Sequence, residues 1–175
     1  MAEALKRLFF YGFAVMLAIG FSEGTAALAG ELPAPKGRVI LTLEGNIANT
    51  TIGKEALFDR SQLAALGMHE LATSNPFEKG IQRYEGFLLK DLLDKVGANG
   101  TLLEAIALDG YTVEIPIKDA YDFPVLVAMK WNGKVLRVRN KGPLWIIYPI
   151  DQHEELKAQQ YSGRSIWQLK HLTIK

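Results

Sequence analysis

Beyond Gly97 the chain breaks into six short segments rich in β-branched and aromatic residues, and this succession limits the fold more than any other feature. The segments are 105–108, 111–115, 125–131, 135–139, 145–148 and 167–174. Turn chemistry separates them: Asp109-Gly110 reads as a tight turn, and Asn132-Gly133 is a strong two-residue hairpin signal. Upstream, residues 38–44 (RVILTLE) read as a first strand ended by Gly45, with a loop over 46–53. Residues 68–74 read as a second strand, broken by Asn75-Pro76 because the residue before proline avoids the helical region. Two helices are expected. The first spans 59–66, capped by Asp59 or Ser61 and stopped by Gly67. The second spans 87–96, where Leu88, Leu89, Leu92, Leu93 and Val96 form one apolar stripe and Gly97 supplies the cap. Residues 152–160 read as a polar helix or loop. The expected fold is α+β: one sheet-rich domain of mixed β-sheets with short helices, its sheets dominating the second half.

The amino end has the three parts of a secretory signal. Lys6 and Arg7 are followed by an apolar run over 8–21 and by the small residues Ala27 and Ala29. As a helix that run would span about 21 Å, short of a bilayer core of about 30 Å. Cleavage before Gly30 is therefore expected, giving a signal peptide at 1–29, an extended leader at 30–37 and a domain at 38–175. The product is expected in the periplasm without a permanent membrane span. The chain has no cysteine, so disulfides, thiolate metal sites and catalytic thiols are excluded. Removing Lys6, Arg7, Glu3 and Glu23 leaves the net charge at +1, which argues against nucleic acid or an anionic membrane as main partner.

Four strings in order carry a resemblance: Tyr84-Glu85-Gly86-Phe87-Leu88-Leu89-Lys90-Asp91-Leu92-Leu93, Asp109-Gly110-Tyr111-Thr112, Gly142-Pro143-Leu144-Trp145-Ile146-Ile147-Tyr148-Pro149 and Ile166-Trp167-Gln168-Leu169. The chain resembles the molybdopterin-binding domain of the sulfite oxidase family, in its small standalone exported form. The resemblance implies a mixed, sheet-rich fold whose members bind a molybdenum–pterin cofactor. It also implies departures. Catalytic members hold molybdenum with a cysteine about ten residues before the aromatic-x-Gly motif, and here that position is Ser74. A soft thiolate ionises readily near a metal, whereas a serine hydroxyl is hard and far less acidic. Catalytic relatives carry cations where Trp145 and Ile166 stand here. Lys6-Arg7-Leu8-Phe9-Phe10 is similar to the twin-arginine export motif with lysine in the first place, and the long apolar run suits the general secretory route, which passes unfolded chains.

From these departures the expected function is a non-catalytic periplasmic binding or signalling accessory, with no cofactor. The alternative is a molybdenum–pterin oxidoreductase with Ser74 in place of the thiolate. A remaining ligand site is expected where the family's pterin would lie. Its residues would be Ser74, Asn75, Asp109, Tyr111, Arg137, Arg139, Lys141 and Trp145, and it would favour a small anionic or polar ligand. The other expected partner is a membrane sensor or redox protein. Arg137, Arg139 and Lys141 alternate, so a strand would turn all three to one face, as a ligand site or as an edge-protecting face. Trp145, Tyr148, Tyr161 and Trp167 could line an aromatic pocket or form core. His69, His153 and His171 have no ligand spacing, residues 151–155 lack a calcium-loop pattern, and no phosphate loop, nucleophile elbow or zinc motif occurs.

Overall fold

The computed structural model of the chain describes residues 30–175. The expected signal peptide lies outside the described residues. In chain order the elements are β1 (Val39–Gly45), β2 (Ala56–Asp59), α1 (Arg60–Ala64), β3 (His69–Asn75), β4 (Glu78–Leu88), α2 (Leu89–Val96) and β5 (Leu102–Ala107). There follow β6 (Thr112–Pro116), α3 (Lys118–Asp122), β7 (Leu126–Trp131), β8 (Lys134–Val135), β9 (Trp145–Ile147), α4 (Gln159–Arg164) and β10 (Leu169–Ile174), with 3-10 turns at Val138–Asn140 and Glu154–Lys157.

Two sheets result. The first has the order β2-β1-β10-β5-β6, with β1 and β10 parallel and the remaining pairs antiparallel. The second runs β3-β4-β7-β8, and β9 also pairs with β7. Period-two alternation turns Leu41 and Leu43 of β1, Leu103 and Ala105 of β5, and Leu172 of β10 into the main core. There they meet Leu89, Leu92, Leu93 and Val96 of α2 and the Val127 and Met129 face of β7. Leu126 and Ala128 face the other way, into a second cluster with Leu71, Tyr84 and Trp145. Both faces of β7 are thus covered from Leu126 to Met129, which is why those four residues read as an apolar run before Lys130.

The first helix starts as expected. Asp59 caps α1 by accepting from Gln62 N at 2.9 Å, while the Gln62 side chain accepts from Asp59 N at 3.0 Å. Several boundaries differ from the sequence reading. Phe87 and Leu88 belong to β4, because β7 pairs them with Val127 and Leu126, and α2 begins only at Leu89. The sequence reading contains neither β4, 11 residues long, whose polar face hides its alternation, nor β2, whose four residues are too few to show one. The expected strand over 135–139 is corrected. β8 ends at Val135 because β9 occupies the same edge of β7 from Leu126 to Ala128. Asn132 and Gly133 both take positive φ and close the β7–β8 hairpin. The chain then coils: Asn140 N and Gly142 N both donate to Arg137 O, at 2.8 and 2.9 Å. Arg137, Arg139 and Lys141 therefore do not share a strand face.

Candidate functional site

A cavity of about 450 Å³ opens where the β5–β6 turn, α4 and the segment entering β10 meet. Asp109 and Tyr111 line it from the turn, Ser162 and Gly163 from α4, and Ile166 and Trp167 from the segment before β10. Phe77, on the turn between β3 and β4, closes another side. Asp109 shapes its own turn by accepting from Tyr111 N at 3.0 Å. Tyr111 is left 54% exposed, with its ring free to cover a ligand. Gln159 adds a polar side chain, while the lining includes one carboxylate, Asp109, and no lysine or arginine. Such a wall suits an uncharged or cationic organic molecule with a flat apolar face.

Behind Phe77 and Trp167 lies an aromatic cage. Trp145 is completely buried and stands nearly perpendicular to Trp131, Trp167 and Tyr84, with ring centroids 5.9, 6.3 and 5.5 Å away. Its indole Nε1 donates to Ser165 O at 3.2 Å. The Lys141 ammonium sits 4.7 Å from the Trp145 centroid, 5.0 Å from Trp167 and 5.6 Å from Phe77, and pairs with Glu78 at 2.7 Å. Lys141 reaches the cage because its backbone is left-handed, φ 63°, at the end of the 3-10 turn. The cage thus has an occupant, the chain's own cation.

α4, which forms one wall of the cavity, is tied to the interior by a buried charge. Asp119 is 1% exposed and accepts from Arg164 Nη1 at 2.8 Å and from Tyr148 Oη at 2.9 Å. Burial, with the Asp119 charge beside it, pushes the Tyr148 phenol far above its usual pKa, so it stays a neutral donor.

The expected site residues separate into five places. Asp109 and Tyr111 line the cavity. Asn75 props its edge: its Oδ1 accepts from Phe77 N at 2.8 Å and its amide donates to the buried Tyr84 hydroxyl. Trp145 and Lys141 form the cage behind the wall. Ser74 points elsewhere, donating from N and from Oγ to the two oxygens of Asp151, each at 2.6 Å. These bonds hold the Asp151 carboxyl below its ordinary pKa. Arg137 lines a different groove beside β1, and Arg139 is exposed on the 3-10 turn. The arginine forks expected to meet an anion are therefore not at this cavity. The four aromatic residues also divide, because β9 alternates. Trp145 and Trp167 belong to the cage, whereas Tyr148 and Tyr161 pack together at 5.4 Å in the main core. Sequence reasoning missed Phe77, Ser162 and the Asp119–Arg164 tie. The only sequence signal for the α4 wall was its polarity between two apolar strands. Among the described residues no cluster of three or more His, Asp or Glu is arranged for a metal ion, and no helix is long and apolar enough to cross a membrane.

Residues 60–152 match the family model described as the oxidoreductase molybdopterin-binding domain. Among solved structures the chain is similar to the sulfane dehydrogenase SoxCD from Paracoccus pantotrophus, with a TM-score of 0.55 at 17% identity. The match covers 77% of this chain and 37% of that one, so the chain spans little more than a third of its structural relative. No curated protein matches.

Proposed function

The chain belongs to the family of oxidoreductase molybdopterin-binding domains, and on that premise we propose that it is an exported, non-catalytic member that binds a small organic molecule. The observation that carries this reading is the pairing of Ser74 with Asp151. Ser74 is the residue that the resemblance sets at the position of the molybdenum thiolate. To ligate a metal a serine must give up its proton. Here the hydroxyl donates that proton in a hydrogen bond to a carboxylate, and an alkoxide in its place would face the Asp151 charge at hydrogen-bond distance. The cavity is equally unsuited to an anionic pterin: it presents Asp109, and Lys141 is committed to Glu78 and the indole rings. The family's cofactor does not fit these residues.

What the cavity offers supports a different ligand. Phe77, Tyr111 and Trp167 provide aromatic surface, and Asp109, Gln159 and Ser162 provide polar groups at its rim. The ligand class is a flat molecule, neutral or cationic; the sequence reading expects a small anionic or polar ligand. Export rests on the Ala27-x-Ala29 pattern, and the intact mass of the secreted protein tests it.

Metal analysis of protein purified from the periplasm of a cofactor-competent host tests the main claim. The expected result is metal-free protein. Stoichiometric molybdenum, with the near-ultraviolet and visible absorption of a loaded cofactor, would overturn it in favour of an oxidoreductase with an unusual ligand set. Thermal shift tests the ligand class. A neutral or cationic aromatic compound at 100 times its dissociation constant stabilises the fold by about 2.7 kcal/mol, and Asp109→Asn with Tyr111→Ala removes that shift.

A further inference from the structure

A second concavity, about 690 Å³, shares no lining residue with the first and has the opposite charge. It runs along the outer face of β1 and β10, whose parallel pairing sets Thr42 beside His171, and the 136–143 turn walls it. Arg38, Arg60, Arg137 and Lys170 line it together with His171. The one carboxylate in the lining, Glu44, lies 3.1 Å from His171 Nε2. None of the four arginine and lysine side chains pairs with a carboxylate among the described residues.

Arg60 shows why they are unpaired. Its sequence neighbour Asp59 is already engaged by Ser61 Oγ and by the backbone N–H groups of Lys36, Gly37 and Gln62, at 2.6 to 2.9 Å. Arg60 is half-buried, and burial lowers its pKa with no carboxylate to offset the cost. The floor between these cations is apolar. Ile40, Ile106 and Leu108 belong to it, and Val39, Leu108 and Val138 are 39, 41 and 52% exposed. With a chain net charge of only +1, the cations are concentrated here by position rather than by composition.

We propose that this groove docks an extended segment of a partner protein that carries interspersed acidic and apolar side chains. The groove is far larger than one small anion, and an inorganic ion would leave the apolar floor in water. No Phe, Tyr or Trp lines it and its one imidazole, His171, is 3.1 Å from Glu44, so it lacks the broad stacking surface that single-stranded nucleic acid uses. Cations around an apolar floor match an acidic, partly apolar peptide in charge and in buried surface.

Fluorescence anisotropy of a labelled peptide alternating glutamate and leucine tests this on the whole purified protein. The groove variant is Arg137→Glu with Lys170→Glu, both exposed. The control is Lys54→Glu with Lys79→Glu, which changes the net charge equally outside the groove. Binding is expected in the parent, weaker by about 100-fold in the groove variant, at about tenfold per reversed charge. The control variant should bind within about threefold of the parent, since distant surface charges are screened. Should the groove variant melt early, the Arg137→Gln, Lys170→Gln pair is read instead. Absence of peptide binding, or equal loss in groove and control variants, would overturn the proposal. Tighter binding to a single-stranded oligonucleotide or to anionic lipid vesicles, abolished by the groove variant, would reassign the groove to that polyanion and overturn it as well.

Discussion

Replacing Lys141 with methionine isolates the contribution of the caged cation. A cation over an aromatic face is worth about 0.5–1 kcal/mol at exposed sites and about 2 kcal/mol when desolvated. The Lys141 side chain is 24% exposed, between those limits. The two rings at 4.7 and 5.0 Å then contribute about 1 kcal/mol each, and the rings at 5.6 and 6.0 Å less. The ion pair with Glu78, itself 27% exposed, adds about 1 kcal/mol. Methionine keeps the apolar stem and regains about 0.5–1 kcal/mol through sulfur–aromatic contact. The net loss is about 2 kcal/mol, or about 4–8 °C in melting temperature for a domain of this size. Urea unfolding followed by tryptophan emission is the assay. The chain's three tryptophans, Trp131, Trp145 and Trp167, all face this ammonium, so the fluorescence reports on the cage alone. High salt should weaken the Glu78 share only in part and leave the ring share, because a pair this buried is screened less than an exposed one. Stability within about 0.5 kcal/mol of the parent, with no coupling between Lys141→Met and Trp167→Leu in a double-mutant cycle, would refute the reasoning.

Arg164→Met leaves Asp119 buried with only the Tyr148 hydroxyl, so a loss of about 3 kcal/mol is expected, with faster amide exchange across α4 as the local readout. Gly86→Ala sets a Cβ 2.0 Å from Val127 O and 2.7 Å from Ala128 Cα, both backbone, so β4 and β7 must separate; chemical denaturation should show a loss of about 3 kcal/mol. The Asp151 carboxyl is depressed first by the Ser74 hydroxyl and then by the Ser74 N–H. Its stabilising effect is therefore complete above the unfolded value of about 4 and is lost as pH falls through the lower folded value. Ser74→Ala should therefore lower stability across the neutral region, flatten the acid limb of a stability–pH profile below about pH 4, and converge with the parent in strong acid.

The elements read correctly from the sequence are those whose signal is local. The cap at Asp59, the stripe from Leu89 to Val96 and the Asn132-Gly133 hairpin each depend on residues a few positions apart. The same holds for the Asp109–Tyr111 turn, which the structure sets at the cavity mouth. The strand expected over 135–139 failed for a non-local reason, since β9, ten residues later in the chain, takes the edge of β7 that it would have needed. With the strand lost, the three basic residues that alternate in sequence went to three different places.

By itself the sequence determined the class of fold, the family resemblance and the absence of any thiolate, because composition and short-range periodicity are properties of the chain. Only the tertiary structure decided which charges are free. Lys141 is paired with Glu78 and packed over indole rings, Arg164 is paired with Asp119, and the Ser74 hydroxyl donates to Asp151. Arg38, Arg60, Arg137 and Lys170 are gathered along one groove without a carboxylate partner among the described residues. The physical reason is that a charge acts through what lies within a few ångströms of it, and for Ser74 and Asp151 that neighbour is 77 residues away along the chain.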